Sequence, residues 1–210
     1  MPNVSRISGF KPVKHQNGSP YNGQATIYYV PTGSNIFVGD AVKLAADGTA
    51  DGIPQVAALA AGSAGTGQAG VGVVVGVITA KMDPVTGKMT AGSISLDTPQ
   101  YVATGVGGFV LVADATDLIY EVEATSAGSS YSFAATDIGQ NANIVATAGS
   151  TTTGNSNHAL DMADKGTTAT LPFKIVGVSR KVDNDATGAF TKVLVTLNNH
   201  QFKSTGTAGV

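Results

Sequence analysis

Three histidines, His15, His158 and His200, are the side chains of this 210-residue chain that titrate near neutrality. Nucleophilic catalysis would need one of them beside a Ser or Thr, with a third group to orient it. None stands in a recognisable motif. His15 lies in a stretch punctuated by Pro and Gly, His158 follows a low-complexity loop, and His200 ends the last expected strand. Surface or capping roles account for all three.

Metal ligation has two candidates. The stretch from His158 to Asp164 reads as a short loop with three potential ligands, His158, Asp161 and Asp164, but the spacing matches no standard site, and without cysteine a zinc site would depend on His and carboxylates. The run Asp183-Asn184-Asp185-Ala186-Thr187-Gly188 has the sixth-position glycine of a calcium loop. The twelfth position, where the loop needs a bidentate Glu, holds Leu194, so an Asp/Asn turn is the better account.

The glycines between Gly62 and Gly72 lack the Gly-Lys-Ser/Thr ending of a phosphate loop, and a strand follows them where phosphate binding needs a helix N-terminus. Paired carboxylates for glycoside chemistry could be drawn from Asp114, Asp117, Glu121 and Glu123. Alternation puts Leu118, Tyr120 and Val122 on one face of a strand and Ile119, Glu121 and Glu123 on the other, so the carboxylates are expected on a largely wet face. With no Trp nearby there is no aromatic platform for a sugar. No residue is assigned as catalytic, cofactor-binding or metal-ligating.

The composition favours contact over chemistry. Hydrophobic residues make 42% and charged residues 12%, about half the usual charged share, with 27 Gly and tracts of Ala, Thr and Ser. A surface with so few charges is poorly protected against association, and partners are expected to cover part of it. The net charge of −2, with scattered Lys and Arg, argues against direct nucleic-acid binding. The N-terminus lacks the apolar region of a signal peptide, and the longest apolar stretch, 71–80, is about half a bilayer span, so no membrane partner is expected and the chain is expected to be made in a cytosol.

The elements that would position these residues are strands. β-branched and aromatic runs at 25–30, 38–44, 71–79, 101–103, 109–112, 118–123, 142–147, 171–178 and 191–198 are broken by turn residues. Asp47-Gly48 predicts a tight hairpin, Asp83 to Lys88 a second, and the turn at 184–188 a third, pairing 175–181 with 191–198. Glycines inside 71–79 suit a tightly coiled strand at a barrel corner. One short helix is predicted at 134–138, closed by Gly139. The whole is an all-β fold, an antiparallel barrel or sandwich with long Gly/Thr-rich loops. Residues 1–22 form an extended N-terminal arm, 23–202 the β domain, with a subdivision that would fall near 97–108, and 203–210 a frayed tail. No repeat at a fixed period is evident.

Several segments together resemble tailed-bacteriophage virion proteins of the capsid decoration, or cement, type. They are Phe37-Val38-Gly39-Asp40-Ala41-Val42-Lys43-Leu44, Gly70-Val71-Gly72-Val73-Val74-Val75-Gly76-Val77, 111–122, 138–144 and Ser150-Thr151-Thr152-Thr153-Gly154. The resemblance implies a homodimer or homotrimer that binds the capsid exterior and bridges neighbouring major capsid subunits, with the arm or the 62–70 loop facing the shell. The alternatives are another virion component (head fibre, tail or shell protein) or a carbohydrate-binding β module.

Overall fold

The computed structural model describes residues 3–62, 65, 67–78, 80–90, 100–203, 206 and 209. The chain is all-β. In the first half lie β1 (Lys11–His15), β2 (Thr26–Val30), β3 (Ile36–Phe37), β4 (Ala41–Gly48), β5 (Pro54–Ala58), β6 (Gly72–Ile78), β7 (Lys81–Met82), β8 (Met89–Thr90), β9 (Tyr101–Val102) and β10 (Gly108–Ala113). The second half adds β11 (Leu118–Ser126), β12 (Ser129–Ser130), β13 (Asn141–Val145), β14 (Ala159–Gly166), β15 (Phe173–Val178) and β16 (Lys192–Leu197). The short helix is a single 3-10 turn, Ala135–Asp137, and among the described residues no helix is long and apolar enough to cross a membrane.

The strands close into two barrels of the same design. In the first, β2, β5, β4, β6 and β10 pair in a ring. In the second, β11 pairs with β14, β14 with β13, β13 with β15, β15 with β16, and β16 returns to β11. Taken in chain order, both rings share one wiring: the first strand runs parallel to the third, and every other pair is antiparallel.

The correspondence extends to single residues. β6 and β15 each carry a bulge at the same place, within Val74-Val75-Gly76-Val77 and Ile175-Val176-Gly177-Val178. Opposite them, Leu111 pairs with Gly76 and Val112 with Val74, while Leu194 pairs with Gly177 and Val195 with Ile175. Gly39 and Gly139 both sit at positive φ, 97° and 92°, and donate their N–H to Val74 O and Ile175 O respectively. Val74 and Ile175 in turn donate to Asp40 O and Gln140 O, each at 2.9 Å.

The cores follow the same map. The first barrel is filled by Tyr28, Val30, Val42, Val56, Val74, Val110 and Val112. Their counterparts Val122, Ala124, Ala142, Leu160, Ile175, Val193 and Val195 all lie in the core of the second. There smaller residues on β11 and β13 are offset by Tyr120, Met162 and Phe133. This second core runs on, through Phe10 stacked on Phe173 at 4.4 Å, to Ala41, Val73 and Ala113 on the outside of the first barrel. Gly72 permits that approach of strands, since a Cβ there would stand 2.3 Å from Ala113 O.

Five local expectations change. The N-terminal segment is extended, but its partner is its own chain: β1 lies antiparallel on β11, with Lys11 opposite Glu121 and His15 opposite Leu118, and Phe10 is buried. Asp47-Gly48 is not the hairpin tip. Asp47 takes φ 71° at an irregularity in β4, and the turn falls at 49–52, where Gly52 has φ 77°. The change from one barrel to the other occurs at 114–117, between β10 and β11, downstream of the division considered near 97–108. At the C-terminus, Gly209 N–H donates to Thr167 O, so that part of the expected frayed tail is fastened. The hairpin at 184–188 forms as expected; the turn at 83–88 forms too, but it joins Lys81–Met82 to Met89–Thr90 and not the expected 77–80, whose Val77 and Ile78 pair with β10, and 91–96, expected as its second strand, lies outside the described residues.

Candidate functional site

The structure separates the histidines. His15, on β1, has Nδ1 3.0 Å from Asp117 Oδ1 and Nε2 3.4 Å from Gln24 Oε1. Its pKa is raised, chiefly by the hydrogen bond to Asp117, and that of Asp117 is lowered by the same contact.

His158 and His200 are buried rather than superficial. His158 Nδ1 accepts the Ala41 N–H at 3.3 Å, which places the proton on Nε2, 3.5 Å from Asp40 Oδ1. Burial pushes its pKa down against the pull of Asp40. The pair resembles the base and orienter of a catalytic triad in composition only, because the one basic nitrogen is already occupied by a backbone amide. His200 is held alike: Nδ1 accepts from Phe202 N–H, Nε2 donates to Asp114 O, and burial lowers its pKa.

The proposed metal stretch is a strand. Just before β14, His158 turns to Asp40, while from β14 Asp161 Oδ1 accepts the N–H groups of Ala127 and Ala163, and Asp164 accepts from Gly65 N–H and Asn143 Nδ2. Alternation and the bulge in the β13–β14 pairing send the three groups apart, and no group of three potential ligands gathers among the described residues. Asp183 to Gly188 is a turn, tied by Asn3 Nδ2 to Asp185 O.

Of the four carboxylates, the structure brings together Glu121 and Glu123, and their face is not wet. Glu121 is 7% and Glu123 4% exposed. Residues 5–9 and β1 roof this side of β11. Glu123 accepts from Ser5 Oγ and Arg6 N–H, each at 2.8 Å. Glu121 accepts from Ser179 Oγ at 2.5 Å and Lys181 Nζ at 2.7 Å. Burial raises the Glu121 pKa, yet the hydrogen bonds from Lys181 and Ser179 outweigh it and hold the group below its ordinary value. An acid so held remains ionised near neutrality and lacks the proton that glycoside cleavage draws from its general acid.

These carboxylates form the floor of a cleft of about 370 Å³ lined by Arg6, Ile7, Ser8, Gly9, Lys11, Glu121, Val122, Glu123, Lys181 and Lys192. The sequence flagged the glutamates but not the cations, which come from β1, β16 and the segments beside β1 and β15 and meet only through the barrel closure.

Fold and cleft define an all-β protein of two like barrels with a charged cleft on the second. Comparison with protein-family models, curated proteins and solved structures returned no match.

Proposed function

We propose that this chain is a structural component of a tailed-bacteriophage virion, a protein that binds the outer capsid surface and cements neighbouring major capsid subunits against the pressure of packaged DNA. The observation that carries the reading is the distribution of apolar side chains in water: Val85, Val106 and Phe202 stand exposed on separate turns and segments of the two barrels, and Val4 and Val182 are exposed together along one surface cleft. Each offers a small contact. Repetition around a symmetric shell multiplies small contacts by avidity, and a well-packed β core supplies the stiffness to hold capsomers in register.

With β1 committed to β11, bridging falls to these exposed positions rather than to a free arm. Quantitative mass spectrometry of purified virions tests the reading. Copy numbers comparable to the major capsid protein are expected, and a handful of copies per particle removes it. Sedimentation of the isolated chain is expected to give a dimer or trimer; a monomer at micromolar concentration removes self-association.

A further inference from the structure

The two barrels are equivalent strand by strand, so each outer face can be compared position by position. In the first barrel the face built from β2, β6 and β10 presents Ile27, Tyr29, Ile78, Ala80 and Phe109. Met82 of the β7–β8 hairpin and Ile53 pack against it, and Phe109 is fully buried. The register places Glu121, Glu123 and Lys192 where the first barrel has Ile27, Tyr29 and Phe109, and Ser179, whose N–H donates to Lys192 O, stands opposite Lys192 as Ile78 stands opposite Phe109; Lys181 follows two residues on. That face has no hairpin of its own: the connection from β15 to β16, residues 179–191, contains no strand, where the connection from β6 to β10 carries β7, β8 and β9. Residues 5–9 cover one side of it, and the remainder is the cleft.

The charge of the cleft points to its occupant. Its lining holds four cations against two carboxylates, an excess of positive charge on a chain whose net charge is −2. Lys181 is paired with Glu121 and Lys192 with Asp183, and the oxygens of both glutamates are taken. Arg6 and Lys11 form no ion pair among the described residues. An incoming anionic side chain therefore meets cations that need no existing contact broken.

We propose that this cleft docks an acidic, extended polypeptide segment of a partner protein, which covers the second barrel as the β7–β8 hairpin covers the first. Backbone and apolar stem lie against Ile7 and the β11 main chain at Val122, and carboxylates reach Arg6 and Lys11. This stands independently of the virion reading, since it specifies the chemistry of the contact and not the particle that supplies it.

The test is a titration of the isotope-labelled full chain with a synthetic peptide of about six residues, the usual strand length, alternating Glu and Val. Amide shifts are expected at Arg6, Lys11, Val122, Lys181 and Lys192 and not around β7–β8, with loss of binding at about 1 M salt, where screening reaches about 3 Å. The double variant Arg6→Gln/Lys11→Gln, which removes both charges without setting new carboxylates against Glu121 and Glu123, is expected to weaken binding about tenfold or more while Lys88→Glu, in the β7–β8 hairpin, leaves it unchanged. Because neither Arg6 nor Lys11 has an ion-pair partner among the described residues, an unaltered melting curve is expected for the double variant and separates lost binding from lost fold. Absence of shifts at millimolar peptide, shifts mapped elsewhere, or equal weakening by Lys88→Glu overturns the proposal. Displacement of the peptide from these residues by inorganic phosphate or a single-stranded oligonucleotide at lower concentration overturns it in favour of a phosphate ligand.

Discussion

Gly76 and Gly177 hold one position in two barrels: each follows a bulged valine and faces a leucine, Leu111 or Leu194, across an antiparallel pair. The bulge coils the strand where the barrel turns its corner.

Glycines in β6 differ in what they permit. A Cβ on Gly76 would meet Leu111 Cδ1 at an ordinary 3.5 Å, whereas one on Gly72 would be driven into Ala113 O at 2.3 Å. Gly76→Ala is expected to stay within about 1 kcal/mol of wild type, while Gly72→Ala loses about 3 kcal/mol or more, since backbone on both sides must shift. Urea denaturation of both variants makes the comparison.

Phe10 joins the segment before β1 to the second core by its stack on Phe173. Phe10→Ala is expected to cost about 3–5 kcal/mol, the usual range for removing a fully buried aromatic ring. Val4→Ala, at an exposed position of the same segment, is expected to change stability by less than about 0.5 kcal/mol. Equal effects would show that the segment is not part of the fold.

Glu123 fastens that segment through Ser5 Oγ and Arg6 N–H. Hydrogen bonds to a buried carboxylate contribute about 1.5–3 kcal/mol, so Glu123→Ala is expected to raise amide exchange at Arg6 by about tenfold or more without unfolding β11. Exchange read by mass spectrometry or NMR checks it; unchanged protection at Arg6 would mean that β1 alone anchors the segment.

The buried histidines set a pH dependence. His158 and His200 have folded pKa values below the ordinary 6.5, because burial disfavours their charged forms. The unfolded chain therefore binds more protons as pH falls, and stability fully present above about 6.5 declines through the window below it. His15 acts in the opposite sense: its raised pKa contributes below 6.5 and is lost as pH rises through the folded value, but its partner Asp117 is largely solvated and the effect small. Denaturation midpoints should fall between neutral and mildly acid pH, and the slope should flatten in His158→Gln.

The local grammar was legible in the residues. Alternation and turn residues marked most strands, the 184–188 turn set the hairpin of β15 and β16, and the glycines of β6 signalled tight coiling. Those signals are local because a β-turn needs particular residues at particular positions, and a buried strand needs period-two or continuous apolar runs. The face of Glu121 and Glu123 was misjudged for the same reason: period two assigns sides of a strand but cannot say what arrives to roof them. Here the roof is residues 5–9 and β1, more than a hundred positions away.

The duplication of the barrel escaped the sequence because its residues are repeated by role and not by identity. Tyr28, Val30 and Val42 are matched by Val122, Ala124 and Ala142, and the interval from Gly76 to Leu111 is about twice that from Gly177 to Leu194. A core fills its volume with any apolar set that packs, and a loop lengthens at little cost, so neither preserves a period. By itself the sequence determined an all-β chain with its main turns in place. Only the tertiary structure decided that it closes into two like barrels, that the N-terminal segment belongs to the second, and that Arg6, Lys11, Lys181 and Lys192 share one cleft. Those outcomes depend on pairings between distant segments, where register and closure are settled by the whole core.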